Sequence, residues 1–227
     1  PPLQSSSAAS DVYKRQKRMV SLKPNGFQIT LPDWWPPTFN ESKNFILGMQ
    51  EVVEDIYMIL YNPPHAKVLL SLEEISLLKQ SVQNLVGIKC AGGDEQWYSQ
   101  RRELLDDFSV FVPGHTVVYG KPLGANGSYS NVACLSPNGA VKIWDLIEKD
   151  YEKAKQLEAK VLNFMKQHIL PFANKLSNTG LDNLLTSVGG WGPVSEKVLW
   201  PYDGATAEDV KKIKIHANNE LEEILNV

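Results

Sequence analysis

The sequence predicts an α/β fold built on a parallel sheet, and three observations predict it. Short runs rich in apolar residues such as Phe27–Leu31, Ile56–Leu60, Leu85–Ile88 and Phe108–Val112 recur along the chain. Proline or glycine stops most of these runs, and helical segments with their own start signals separate them. A run of four to eight apolar residues between two helices reads as a strand buried on both faces. Repeated alternation of such strands with helices argues a parallel sheet.

The elements follow in order. Phe27–Leu31 reads as a strand stopped by Pro32, and Asp33-Trp34-Trp35-Pro36-Pro37 as the loop after it. Thr38 with Glu41 forms a capping box, and Phe45, Met49 and Val52 or Val53 supply an apolar stripe. Ile56–Tyr61 is a second strand, cut off by Pro63-Pro64, which cannot continue a ladder. Ser71 with Glu74 opens the next helix, striped by Ile75, Leu78 and Val82. Leu85–Lys89 is a third strand, and Asp94 caps a helix carrying Trp97, Arg101, Leu104 and Leu105. Phe108–Val112 is a fourth strand, and Gly127–Ala133 reads as a fifth. Beyond it the pattern is helical: Pro137–Lys149, Asp150–Leu170 and Asn178–Val188, with a last helix opened by Thr206.

Composition excludes several functions. The 227 residues carry a net charge of −3, which gives no electrostatic case for nucleic acid or a membrane surface. No apolar run approaches the ~18 residues of a transmembrane helix. Cys90 and Cys134 suggest no disulfide framework, and a reducing, cytoplasmic setting is the default expectation. Residues 1–18 are read as a disordered or non-native tail, polar at first and then basic through Lys14, Arg15, Lys17 and Arg18. His65, His115, His168 and His216 show no metal-ligand spacing, so no metal or cofactor is expected. The tryptophans are expected in the core or in subunit contacts.

The chemistry centres on Lys89 and Tyr61. Lys89 closes one buried strand and Tyr61 the one before it, an interval of 89 − 61 = 28 residues. That interval is about one strand-helix-strand unit. Parallel neighbours lie ~4.8 Å apart, so side chains at the same level can touch. The carboxyl ends of parallel strands are where α/β folds place their chemistry. A desolvated lysine amine attacks a ketone to form a Schiff base, and a neighbouring phenol can transfer protons. Each residue alone has a plain structural reading, as a strand-end lysine reaching solvent or a packed aromatic.

Tyr61-Asn62-Pro63-Pro64, Gly87-Ile88-Lys89-Cys90-Ala91 with Gly93-Asp94, and Gly124-Ala125-Asn126-Gly127-Ser128-Tyr129-Ser130 together resemble the dihydrodipicolinate synthase / N-acetylneuraminate lyase family. The resemblance runs from about Gly26 to the carboxyl terminus. It implies a (β/α)8 TIM barrel lacking roughly its first three βα units, with extra C-terminal helices. The implied organisation is a partial barrel over 19–136, strands four to eight, and a helical region over 137–227. It also implies a class I aldolase: Lys89 forms the imine with pyruvate or a related 2-oxo acid, and Tyr61 moves protons. Gly114 and Tyr129 fall where relatives use main-chain groups near substrate. The implied partners are small-molecule 2-oxo acid and aldehyde substrates, and the full-length protein is expected to be a homo-oligomer. Two positions depart from the family's pattern. Trp34-Trp35 stands where many relatives supply a relay tyrosine, and Ala66-Lys67 stands where dihydrodipicolinate synthases have an arginine. The alternative reading is an inactive or incomplete family member with a binding role only.

Overall fold

The computed structural model describes Arg18 and residues 20–226. The tail expected over 1–18 lies, Arg18 apart, outside the described residues. Two compact units emerge. The first runs to Phe111 and includes Gly124–Asn126; the second comprises Val112–Leu123 and the chain from Gly127 onward.

The first unit alternates strand and helix: β1 (Gly26–Thr30), α1 (Phe39–Val53), β2 (Tyr57–Asn62), α2 (Leu72–Ser81), β3 (Leu85–Cys90), α3 (Glu95–Leu104) and β4 (Ser109–Pro113), whose last two residues count with the second unit. These strands lie in chain order and pair in parallel, so each helix is a crossover between neighbours. The start signals act as read. Thr38 and Ser71 accept from the N–H groups of Glu41 and Glu74, whose carboxylates reach back to the caps, and Asp94 accepts from Trp97. The two sheet faces differ. Ile29, Met58, Leu60, Ile88 and Val110 are essentially inaccessible, as are Ile46, Met49, Ile75 and Leu78 on the helices. The other face carries exposed Gln28 and Thr30 and half-buried Ile59, Tyr61 and Lys89. Period-two alternation divides the strands this way. Asn84, buried, donates to the carbonyls of Glu54 and Ile56 and fixes the turn into β2.

The second unit is mostly helical. A 3₁₀ turn (Gly114–Thr116) leads into α4 (Val117–Leu123), and the three-residue β5 (Gly127–Tyr129) precedes α5 (Asn131–Leu135), α6 (Pro137–Lys149) and α7 (Tyr151–Phe164). A π-turn (Met165–Ile169) and a 3₁₀ turn (Leu170–Phe172) lead to α8 (Asn178–Gly189), α9 (Ala207–Glu220) and α10 (Glu222–Leu225). The strand expected over Gly127–Ala133 therefore ends at Tyr129. The Ser130 hydroxyl accepts from the Ala133 N–H and starts a helix instead. The single helix expected over Asp150–Leu170 is interrupted. Pro171 has no N–H and crowds the carbonyl four residues back, and the preceding turn widens so that the Leu170 N–H reaches the Met165 carbonyl. Leu135, Leu157, Phe164, Leu184, Val188, Ala217 and Ile224 form this unit's core. The Ser136 hydroxyl donates to the Ile224 carbonyl and ties the last helix to the start of α6. Gly189 lies so close to Leu135 that a Cβ there would fall 1.9 Å from the Leu135 carbonyl oxygen.

Of the two places expected for the tryptophans, core or subunit contact, the core does not hold four of them. Trp34, Trp35, Trp191 and Trp200 are largely exposed, the first two at 84% and 78%. Each sits in a proline- or glycine-rich loop, where backbone course rather than a buried stripe sets its place.

Candidate active site

Tyr61 and Lys89 meet in the first unit. They are register partners on β2 and β3, each at or next to the strand's carboxyl end. Strand register sets their height, and alternation turns both to the less covered face. The Lys89 Nζ stands 4.2 Å from the centre of the Tyr61 ring. Phe111 is the partner of Lys89 on β4, and Thr30 is the partner of Tyr61 on β1. Gly87, two residues before Lys89, lies against β4 without side-chain bulk: a Cβ there would be 2.9 Å from the Ser109 carbonyl oxygen.

A cavity of about 230 Å³ opens beside Tyr61, lined in part by Thr30, Asp33, Pro63, His65 and Lys67. His65 meets the Tyr61 ring edge-on, with ring centres 6.2 Å apart. Lys67 donates to the Trp34 carbonyl at 3.0 Å, joining the loop after β2 to the loop after β1. That loop is anchored at its far end by Asn62. The amide donates to the Leu70 carbonyl at 2.9 Å and accepts from the Leu70 N–H at 3.1 Å, in buried surroundings. Sequence reasoning passed over Asn62 as a mere neighbour of Tyr61. Its placement before two prolines, in a loop that needs its backbone groups satisfied, was the available signal.

Cys90 follows Lys89 on the opposite face, lining a separate cavity of about 370 Å³ with Asn62, Ile88 and Trp97. Burial pushes its thiol pKa up, against the Gly92 N–H that points at the sulfur. A thiol held protonated is a poor nucleophile.

Gly114 and Tyr129 lie in the second unit. Gly114 opens the 3₁₀ turn in close contact with Ser130: a Cβ there would fall 2.0 Å from the Ser130 hydroxyl oxygen. Tyr129 ends β5 and is 40% exposed. A mostly apolar cavity of about 400 Å³ in this unit is lined by Gly114, Ser128, Ser130 and Trp144 among others. His115 is paired with the Asn131 side chain.

The family model of the dihydrodipicolinate synthetase family matches residues 17–214. The chain belongs to this family. No curated protein sequence matches it. Among solved structures it is similar to an N-acetylneuraminate lyase from Fusobacterium nucleatum, with a TM-score of 0.77 and 16% identity over 94% of this chain and 72% of that one. It is similar also to the 4-hydroxy-tetrahydrodipicolinate synthase of Methylacidiphilum fumariolicum SolV, at TM-score 0.78 and 19% identity, covering 96% and 72%. A third is YagE, a prophage protein of the dihydrodipicolinic acid synthase family from E. coli K12 in complex with pyruvate, at TM-score 0.76 and 19% identity, covering 95% and 72%. At such identities the likeness is one of fold, the α/β fold with a parallel sheet. Among the described residues no helix is long and apolar enough to cross a membrane.

Proposed function

We propose that the protein is a Schiff-base-forming lyase, a class I aldolase that makes or breaks a carbon–carbon bond with pyruvate or a related 2-oxo acid. The observation that carries this reading is the juxtaposition of the Lys89 amine and the Tyr61 ring, 4.2 Å apart at the carboxyl ends of adjacent parallel strands. Lys89 attacks the 2-oxo carbon. The carbonyl oxygen takes up two protons and leaves as water, and a protonated imine remains. That imine draws electrons from the neighbouring carbon, which gives up a proton and adds as an enamine to an aldehyde, or becomes the enamine when the aldehyde is released. Tyr61 carries protons to and from the reacting oxygens.

We read the five strands as the fourth to eighth of a (β/α)8 barrel. In support, the sheet face that bears Tyr61 and Lys89 also leaves Gln28 and Thr30 open to solvent, whereas a closed barrel fills its interior with side chains. Three preceding βα units in a longer chain would cover that face, and such a chain would assemble as a homo-oligomer. The same open face favours the second reading, in which this chain alone binds without turning over.

Reduction with borohydride in the presence of pyruvate, followed by mass spectrometry, tests the proposal. A longer chain that restores three βα units forms the reduced adduct on Lys89. Lys89→Ala abolishes the adduct. Tyr61→Phe keeps the adduct and slows turnover by about 10²–10⁴-fold, the usual worth of a positioned acid-base group. An adduct that persists in Lys89→Ala assigns the nucleophile elsewhere and refutes the proposal. Pyruvate binding with no adduct in any form of the protein establishes the second reading.

A further inference from the structure

In the second unit the fold gathers His168, His216 and Glu220 into one cluster. Their nearest donor atoms all lie within 4.8 Å of one another. The His168 Nε2 is 2.9 Å from Glu220 Oε1, and the His216 Nδ1 is 3.5 Å from the same oxygen. The two imidazoles stack with centres 4.2 Å apart and planes 22° from parallel.

Three features build this cluster. His216 and Glu220 are four residues apart on α9, so they share one helix face. His168 comes from the π-turn Met165–Ile169, where the widened backbone changes the direction of the side chains. Its ring is backed by Phe164, with centres 5.1 Å apart, and only 15% of its side chain is exposed. One ligand is therefore held rigidly by packing, and two come from a regular helix.

We propose that His168, His216 and Glu220 form a zinc site, with the fourth position open to water. Two neutral imidazoles and a carboxylate are a ligand set that zinc accepts, with bonds of about 2.0–2.2 Å. A tetrahedron with such bonds has edges of about 3.3–3.5 Å. The separations of 2.9 and 3.5 Å need shifts of only a few tenths of an ångström, and the two imidazole nitrogens, within 4.8 Å of each other, must close by up to about 1.5 Å. Imidazole nitrogen disfavours magnesium, which prefers oxygen ligands and water. Since the site joins α9 to the turn after α7, the ion clasps these two elements together.

The test uses the whole chain without a polyhistidine tag. Isothermal titration with zinc chloride gives one ion per chain with micromolar affinity or better. Magnesium chloride gives no comparable binding. Zinc raises the Tm, and a chelator reverses the rise. His216→Gln and Glu220→Gln change exposed or half-exposed side chains, so both variants fold, as circular dichroism checks. Each weakens zinc binding by about tenfold or more, a loss at least as large as that from changing a residue behind a metal ligand. Zinc affinity unchanged in both variants overturns the proposal, as does the absence of zinc binding in the unaltered chain at millimolar concentrations.

Discussion

Replacing Asn62 by alanine removes the clamp at the far end of the loop that borders the Tyr61 cavity. The Asn62 side chain is 6% exposed and Leu70, its partner, 4%. The substitution deletes one hydrogen bond given and one received, at 2.9 and 3.1 Å, and leaves the Leu70 N–H and carbonyl without them in a buried place. An unsatisfied buried polar group costs about 1–3 kcal/mol. Water can enter from the adjoining cavity that Asn62 lines, so the lower part of the summed range applies, about 2–4 kcal/mol. For a chain of this size each kcal/mol corresponds to roughly 2–4 °C, so Tm falls by about 5–15 °C. Urea unfolding followed by circular dichroism measures the loss, and an unchanged slope with denaturant ascribes it to stability. Asn62→Asp separates the two bonds, because a carboxylate accepts from the Leu70 N–H but cannot donate to its carbonyl. It is destabilised near neutral pH, and less so where acid protonates the carboxyl. A loss in Asn62→Ala below about 0.5 kcal/mol, the level of an ordinary surface change, refutes the clamp.

Two further outcomes follow from the same contacts. Gly87→Ala sets a methyl 2.9 Å from the Ser109 carbonyl oxygen and 3.2 Å from its Cβ, so β3 and β4 must part; it costs about 1–3 kcal/mol, whereas Gly48→Ala, with nothing within 4 Å in α1, gains about 0.5–1 kcal/mol, and paired thermal melts read both. The Glu158 carboxyl, which accepts from the Val118 N–H, has its pKa raised above 4.5 because burial outweighs the main-chain N–H bonds. With the folded value above the unfolded one, its contribution to stability is full below the unfolded pKa and is lost as pH rises through the raised folded value. Glu158→Gln removes that decline, and urea midpoints taken from acid to neutral pH for both proteins measure it.

Much of the first unit was legible because its signals are local. Thr38, Ser71 and Asp94 announce their helices through side chains that satisfy N–H groups three residues on, and prolines mark where strands stop. The pairing of Tyr61 with Lys89 follows from one repeat length and strand alternation. The second unit hid more. Helix α4 contains Gly120 and Pro122, both poor helix formers, and tertiary packing of Val117 and Val118 overrides them. Helix α5 is only five residues long, and its apolar Val132, Ala133 and Leu135 continue the look of a strand, so only the Ser130 cap distinguishes it. The histidine cluster was half legible: His216 and Glu220 stand at helical spacing, but His168 arrives from 48 residues upstream through a turn that Pro171 distorts.

The first unit also borrows from further along the chain. Gly124–Asn126 belong to it although the twelve residues Val112–Leu123 do not. Asn126 supplies what β4 lacks: its N–H donates to the Val110 carbonyl, and its side-chain oxygen accepts from the Val110 N–H and from Arg101. Arg101 in turn donates to the Gly124 carbonyl at 2.7 Å. During synthesis from the amino end, Phe111 therefore leaves the ribosome before its own strand has all its partners. Fifteen more residues, 126 − 111, must emerge first. At ~5–20 residues per second that is a wait of roughly 1–3 seconds, in which Val110 presents an open edge to whatever chain is near. A nascent chain stalled between Phe111 and Asn126 is the form most exposed to mispairing, and there a chaperone has the most to cover.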